Sequence, residues 1–309
     1  MQRVAVVTAG CHGLGRAIAE TLAQAGHRVV ATSRRPDEGC RQWASGLGDR
    51  SGVEVRVEAW SPHDPDDGRR LVEQTRAAWG AVDVLVCNAG PYHRPPLSLA
   101  QTPEDIWRVM WEGNVLGSFR LVQAALPLLR AGGLGRIVTL GFVGAGQALG
   151  WAEHGPYAAA KAALASMTRT LAQEERRFGI TANMVCPSDI KRTDKERIGA
   201  DDAGRVFPIG GDVARLIRYL AAPEAQFVTG QIWETAFAWG TGPGQVGVGI
   251  SPLSQAPPLG TRLYVPAWEE VAWLAETRLD HRGLWYRMER PSTGQSGWFV
   301  PEQTGPADA

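Results

Sequence analysis

Apolar residues in the first part of the chain come as short continuous runs, separated by stretches in which they recur every three or four positions. Val4–Thr8 is such a run, the pattern of a strand covered on both faces. Arg16–Ala25 follows it with helical spacing, and Val29–Ser33 reads as a second strand. Val53–Val57 alternates apolar and charged residues and reads as a third. Asp66–Trp79 sets Leu71, Val72, Thr75 and Trp79 at helical spacing. Asp83–Cys87 is another buried strand. Thr102 is an N-cap candidate, with Pro103 at the first helical position, for a helix reaching about Arg130. Ile137, Val138 and Leu140 are β-formers bounded by glycines, and Ala158–Ala163 is a run of the best helix formers, in a helix reaching about Phe178. Thr181–Cys186, Gly211–Ala222 and Gln231–Phe237 add a strand, a helix and the last strand of this unit. Strands alternating with helices of this length imply an α/β fold, a doubly wound parallel sheet with helices on both faces. Ligands of such sheets sit at the carboxyl ends of the strands.

Three turns at those ends carry candidate chemistry. The first strand runs into Thr8-Ala-Gly-Cys-His-Gly-Leu-Gly15 and then a helix. Glycines at 10, 13 and 15 allow a tight turn and a close backbone approach, and the helix N-terminus offers unpaired N–H groups to a phosphate. The second strand ends in Thr32-Ser33-Arg34-Arg35. An acid there binds a free ribose hydroxyl and an arginine accommodates a 2′-phosphate, so two cations and no acid favour NADP(H) over NAD(H). The same arginines also read as solvated surface charges. The fourth strand ends in Asn88-Ala89-Gly90.

Composition narrows the setting. Formal net charge is zero over 309 residues, so no field favours nucleic acid or membrane. No apolar run approaches the ~20 residues that span a bilayer, and the early strand at Val4 is expected to leave no room for a signal peptide. Four cysteines with no C-x-x-C pair suggest a reduced, cytoplasmic chain and no metal site. Residues 240–260, rich in Gly, Pro, Ser and Gln, read as a linker between a unit at 1–239 and a small β extension at 261–309. In that extension Val271–Leu274, Leu284–Glu289 and Gly297–Val300 look like strands around a turn at Pro291–Ser296.

The last motif is Tyr157-Ala-Ala-Ala-Lys161. Residues four apart share a helix face. A lysine ammonium beside a phenol favours the phenolate and is expected to bring tyrosine's usual pKa of about 10 down toward the working range. Alone, the pair reads equally as a surface contact. Asn114, in the middle of its helix, is either a satisfied amide or one that exposes helix backbone to a water near Lys161.

Together, TAGCHGLG, Asn88-Ala89-Gly90, Asn114, Tyr157-x-x-x-Lys161 and the Pro187-Ser188 turn resemble the classical short-chain dehydrogenase/reductase family. The likeness is strongest to its 3-oxoacyl-carrier-protein-reductase-like members and covers about residues 3–239. It implies a Rossmann sheet of order 3-2-1-4-5-6-7, an NADP-linked oxidoreductase acting on a small carbonyl or alcohol, and a homodimer or homotetramer. It assigns Tyr157 as general acid/base, Lys161 as its partner and ribose contact, and Asn114 as the anchor of a relay water. Cofactor contacts carry over to Thr8, Gly10, His12, Gly13, Leu14 and Gly15, to Ser33, Arg34 and Arg35, to Asn88, Ala89 and Gly90, and to Pro187, Ser188 and Ile190.

One residue departs. The family places a serine thirteen residues before the tyrosine, after the fifth strand. Here alignment of the strand gives Phe142, and counting back from Tyr157 gives Gly144. Thr139 points to the opposite face of its strand from residue 142. Gln147 and His154 are the other candidate donors. Loss of one positioned donor costs on the order of 10²–10³ in rate, which leaves open a nucleotide-binding sensor or scaffold with little redox activity. Ala59-Trp60 stands where the family has Asp-Val. Residues 189–210, charged and irregular, have the composition of a lid. The pattern around Trp285 and Trp298 resembles the second half of bacterial SH3-like barrels. Trp268, Trp273, Trp285 and Trp298 are the expected anchors of a packing appendage or, alternatively, a ligand module.

Overall fold

The computed structural model describes residues 2–188, 190–199 and 208–235, the strand residues 262–265, 270–280, 283–289, 296–299 and 305–306, and residues 293 and 295. The chain divides into two compact units, Met1–Thr241 and Gly242–Ala309.

In the first unit, seven strands form one parallel sheet: β1 Val4–Val7, β2 Arg28–Ser33, β3 Val55–Ala59, β4 Val84–Cys87, β5 Arg136–Leu140, β6 Thr181–Pro187 and β7 Ile232–Thr235, in the order β3-β2-β1-β4-β5-β6-β7. The helices are α1 Gly13–Gln24, α2 Glu38–Ser51, α3 Asp67–Trp79, α4 Glu104–Trp111, α5 Gly117–Gly132, α6 Gly155–Glu174 and α7 Gly210–Ala221. The adjacent strands β1 and β4 are apolar at every position because successive side chains feed two cores. Ala5, Val7, Val29, Val84, Val86 and Val138 pack with Ile18, Leu22, Trp43, Leu47, Val213 and Ile217 of α1, α2 and α7. Val6, Val30, Leu85 and Ile137 pack with Leu71, Leu121, Leu129 and Leu171 of α3, α5 and α6.

The sequence pattern marks every strand of this sheet to within a few residues, although it passes over α2. That helix is cut by Gly39, Gly46 and Gly48, poor helix formers, but Cys40, Trp43, Ala44 and Leu47 bury one face of it. Asp37 caps it, accepting a hydrogen bond from the Cys40 N–H at 2.8 Å. The expected Thr102 cap is displaced by one residue. Pro103 holds the cap position of α4, and the Thr102 hydroxyl instead donates to Ser98 O at 2.8 Å. The single helix expected to follow is interrupted by a π-helical turn, Glu112–Leu116, between α4 and α5. The helix of Tyr157 ends at Glu174, and Arg176–Phe178 continues as a 3₁₀ turn.

At the amino end of the sheet, Arg136 is fully buried. Its guanidinium donates to Gly135 O at 2.9 Å, Gly179 O at 3.2 Å and Ala222 O at 3.3 Å. Burial pulls it down to about 10. No acid is among those acceptors, so the cation is held by carbonyl dipoles, two of which also accept a backbone N–H: Gly135 O from Thr181 at 3.0 Å and Ala222 O from Ala225 at 3.2 Å.

In the second unit, β8 Arg262–Val265, β9 Glu270–Asp280, β10 Gly283–Glu289, β11 Ser296–Phe299 and β12 Gly305–Pro306 form an antiparallel sheet of order β11-β10-β9-β8-β12. The strand expected at Val271–Leu274 runs six residues further, to Asp280, and its neighbour β8 has no counterpart among the expected strands. Residues 236–261, Trp268, Val300 and the side chains of Trp273, Trp285 and Trp298 lie outside the described residues. So do the linker and the expected tryptophan anchors.

Replacing Arg136 by Met keeps most of the volume and removes the donor common to these carbonyls, of which Gly135 O and Ala222 O keep their backbone partners. The expected loss is about 1–3 kcal/mol of unfolding free energy in urea melts; a loss within measurement error would mean the backbone donors suffice.

Candidate functional site

All the turns singled out in the sequence lie at the carboxyl ends of the strands. After β1, the chain turns through Thr8–His12 into α1. A Cβ at Gly10 would lie 2.8 Å from Val7 O and 2.9 Å from the Ala31 Cβ, so the turn sits directly on β2. A Cβ at Gly15 would collide with Ala9 O and lie 2.7 Å from Asn88 Nδ2. Thr8 joins this turn to the Asn88 loop. Its hydroxyl accepts from the Ala89 N–H at 2.9 Å, and its carbonyl accepts from Asn88 Nδ2 at 3.0 Å. Ala9 N–H donates to the Thr32 hydroxyl at 3.1 Å, tying in the end of β2.

His12 is the cap residue of α1 but makes no side-chain cap bond, and the first turn of α1 has no acid of its own. The first N–H groups of the helix, from Gly13 onward, are therefore available to an anion. The Gly13 N–H is met by Glu196 Oε1 at 2.7 Å. A carboxylate oxygen there stands in for a phosphate oxygen. Tight glycines, a donor N-terminus and a carboxylate already on it fit the phosphates of a dinucleotide. Arg34 and Arg35 are exposed at the end of β2 and Ser33 is half-buried. Pro187 ends β6, the Ser188 N–H donates to Thr235 O at 3.1 Å, and Ile190 is buried. Asp189 and residues 200–207 of the expected lid lie outside the described residues.

Lys161 is buried on α6 and donates from Nζ to Leu140 O, the last carbonyl of β5, at 2.7 Å. Its ammonium lies 5.7 Å from the centre of the Tyr157 ring. Asn114 is buried in the π-helical turn, where Nδ2 donates to Met110 O and Pro91 O, both at 3.0 Å. The widened turn opens the Met110 carbonyl to a side chain, which an α-helix would have closed. Asn114 Oδ1 is buried without a protein partner. Gly90 faces it: a Cβ at residue 90 would fall onto that oxygen and lie 3.2 Å from Lys161 Nζ. Asn114, Lys161, Gly90 and Tyr157 therefore converge.

The expected lowering of the Tyr157 pKa is overturned in the protein's own electrostatics. Burial pushes the phenol above its ordinary value, with Cys186 and Tyr92 adding to the shift. Burial also pulls Lys161 down to about 8. Desolvation is the largest cause of both shifts.

Phe142 is one of the two positions, with Gly144, where the resemblance implies a serine. It stacks on Trp151 at 5.5 Å between centroids and lies 5.9 Å from the Tyr157 ring. Gly144 carries no side chain, and its N–H donates to Glu234 Oε1 at 2.8 Å. Thr139 bonds the Thr168 hydroxyl at 2.8 Å inside the core, and Gln147 is exposed. His154 is buried, and its Nε2 lies 2.7 Å from the Tyr92 hydroxyl. Tyr92 in turn sets its ring against Tyr157 at 5.2 Å, edge to face. Sequence reasoning missed Tyr92. Its place two residues beyond Gly90, on the loop that carries Asn88, was the available signal. Trp60 is buried in the core on the α3 side.

The family described as enoyl-(acyl carrier protein) reductase matches residues 8–235. The chain belongs to the short-chain dehydrogenase/reductase family. Among its relatives, YtkK of Bacillus subtilis, named as an oxidoreductase, is 38% identical over 242 residues, which is 75% of this chain and 94% of that one. The 3-oxoacyl-[acyl-carrier-protein] reductase FabG of Salmonella typhimurium is 36% identical over 241 residues, 74% of this chain and 93% of that one. A solved Bacillus thuringiensis chain described as a 3-oxoacyl-reductase superposes with a TM-score of 0.72 at 34% identity, over 78% of this chain and 99% of that one. This short-chain dehydrogenase/reductase is thus an oxidoreductase by family, with the family's seven-strand order. The likeness of β8–β12 to SH3-like barrels rests on sequence motif alone. No helix among the described residues is long and apolar enough to cross a membrane.

Gly90→Ala tests the convergence directly. The methyl group would meet Asn114 and Lys161 first, and a destabilisation of about 1–3 kcal/mol in chemical denaturation is expected; a neutral effect would show that the pocket is looser than these distances.

Proposed function

We propose that the protein is an NADP(H)-dependent reductase or dehydrogenase of small carbonyl or alcohol substrates, with Tyr157 as the proton donor and acceptor. The observation that carries this reading is the convergence of Tyr157, buried Lys161 and Asn114 Oδ1 at the carboxyl end of β5, beside a glycine turn fit for phosphate. The nicotinamide supplies and accepts the hydride when bound. The chain's own work is to hold that group, to hold the substrate carbonyl, and to move one proton at the Tyr157 oxygen. A phenol raised by burial keeps its proton through the neutral range, which suits donation during carbonyl reduction. Lys161 is the natural hydrogen-bonding partner of a ribose at that depth, and Asn114 Oδ1 is an acceptor for a relay water. Arg34 and Arg35, with no acid at residues 33–35, favour a 2′-phosphate on the adenosine ribose.

The aromatic wall of Phe142, Trp151 and Tyr92 supports a second reading, a nucleotide-binding protein with little turnover, because no hydroxyl stands at residue 142 or 144. Tyr157→Phe separates the two. The first reading expects turnover of NADPH with a panel of ketones in the wild type and a loss of about 10²–10⁴ in kcat on removing the hydroxyl. NADPH binding without turnover in the wild type would favour the second. If the missing donor limits the rate, Phe142→Ser is expected to raise kcat by at least about tenfold, toward the scale of one positioned donor.

The pH dependence follows from Lys161. Its charge is half lost at about 8, falling away progressively as pH rises through that value. Reduction, measured as kcat/KM, is expected to be flat on the acid side of that value and to fall as pH rises through it. A profile that stays flat to pH 10 would show that the ammonium is not needed.

A further inference from the structure

Glu196 is the side chain outside the reacting cluster that the nucleotide reading leaves unexplained. It lies in the described segment between β6 and α7, far along the chain from the glycine turn, yet its Oε1 accepts from the Gly13 N–H at 2.7 Å. Its Oε2 lies 3.6 Å from Arg16 Nη1. Gly13 has φ +57, and the Lys195 side chain lies 3.9 Å from where its Cβ would be. One carboxylate thus takes both the leading N–H of α1 and the adjacent guanidinium. A nucleotide phosphate would seek the same charge and donors.

We propose that Glu196 is an internal competitor for the dinucleotide phosphates, and that it sets cofactor affinity by having to leave Gly13 before they bind. This rests on the nucleotide-binding reading above. Three features favour displacement over a fixed structural bond. The Glu196 side chain is 45% exposed, so water takes over its hydrogen bonds when it leaves. Arg16 does not depend on it, because Arg16 Nε also pairs with Glu20 at 3.2 Å and its guanidinium lies over the Trp43 ring at 5.1 Å. The helix makes no cap of its own at His12, so its donors are left to whichever anion binds best. A protein whose competent form is only part of the population binds its ligand more weakly by that fraction. Removing the competitor removes that penalty.

The experiment measures NADPH dissociation constants by calorimetry on the full chain, for wild type, Glu196→Gln and Asp194→Asn. Asp194 is in the same segment and pairs with Arg197 at 3.0 Å, so its change removes equal charge without touching Gly13. Glu196→Gln is expected to tighten binding about 3- to 10-fold, while Asp194→Asn stays within about twofold of wild type. Without nucleotide, trypsin is expected to cut after Lys195 and Arg197 several-fold faster in Glu196→Gln than in wild type, because the segment has lost its tether. Equal or weaker binding by Glu196→Gln, equal tightening by Asp194→Asn, or unchanged cleavage would overturn the proposal. If no protein in the set binds NADPH or NADH, the nucleotide reading itself fails; if wild type binds and Glu196→Gln gains nothing, only the role of Glu196 fails.

Discussion

An ammonium buried against a strand-end carbonyl is the constraint on which the site depends. Lys161 has Leu140 O at 2.7 Å and almost no exposure to water. A charge in that position is tolerated only if its donors stay satisfied. The bond therefore fixes the rotation of α6 relative to β5, and with it the direction of Tyr157, one turn earlier. Cys87 and Cys186 flank the lysine as thiols pushed up to about 12 by burial. They add polarisable bulk without charge, and the surroundings stay poorly solvated. The cost of that dryness shows in the lysine's lowered pKa and in the tyrosine's raised one.

Around this pair the wall beside Tyr157 is built of rings. Phe142, Trp151 and Tyr92 all meet Tyr157, and His154 is drawn in through Tyr92 and Trp151. Such packing shields the half-buried phenol from part of the water and narrows the approach to it. On the reading proposed above, the proton-bearing side chain faces aromatic surface where the resemblance leads one to expect a hydroxyl donor.

Much of the fold was legible because the parallel sheet is buried on both faces. Uninterrupted apolar runs as short as Val4–Val7 and Val84–Cys87, each closed by a turn, suit a covered strand and little else. The α2 helix escaped because its three glycines weaken the local signal, although Cys40, Trp43, Ala44 and Leu47 carried the helical spacing. The π-helical turn at Asn114 leaves no mark on periodicity, since one widened turn shifts the register by a single residue. The polar members of the site could be named from motif spacing. The electrostatic order of Tyr157 and Lys161 could not, because desolvation is set by what packs around them. Glu196 was invisible for a related reason: its partner is a backbone N–H brought close only by folding.

The bond between Ala9 N–H and the Thr32 hydroxyl holds the end of β2 against the glycine turn just before Ser33, Arg34 and Arg35 begin. Those three side chains therefore project from backbone that is already clamped. On the nucleotide-binding reading proposed above, those side chains can be exchanged, altering which adenosine ribose is preferred, without disturbing the glycine turn next door. Cofactor choice is then a detachable trait, inherited separately from cofactor grip.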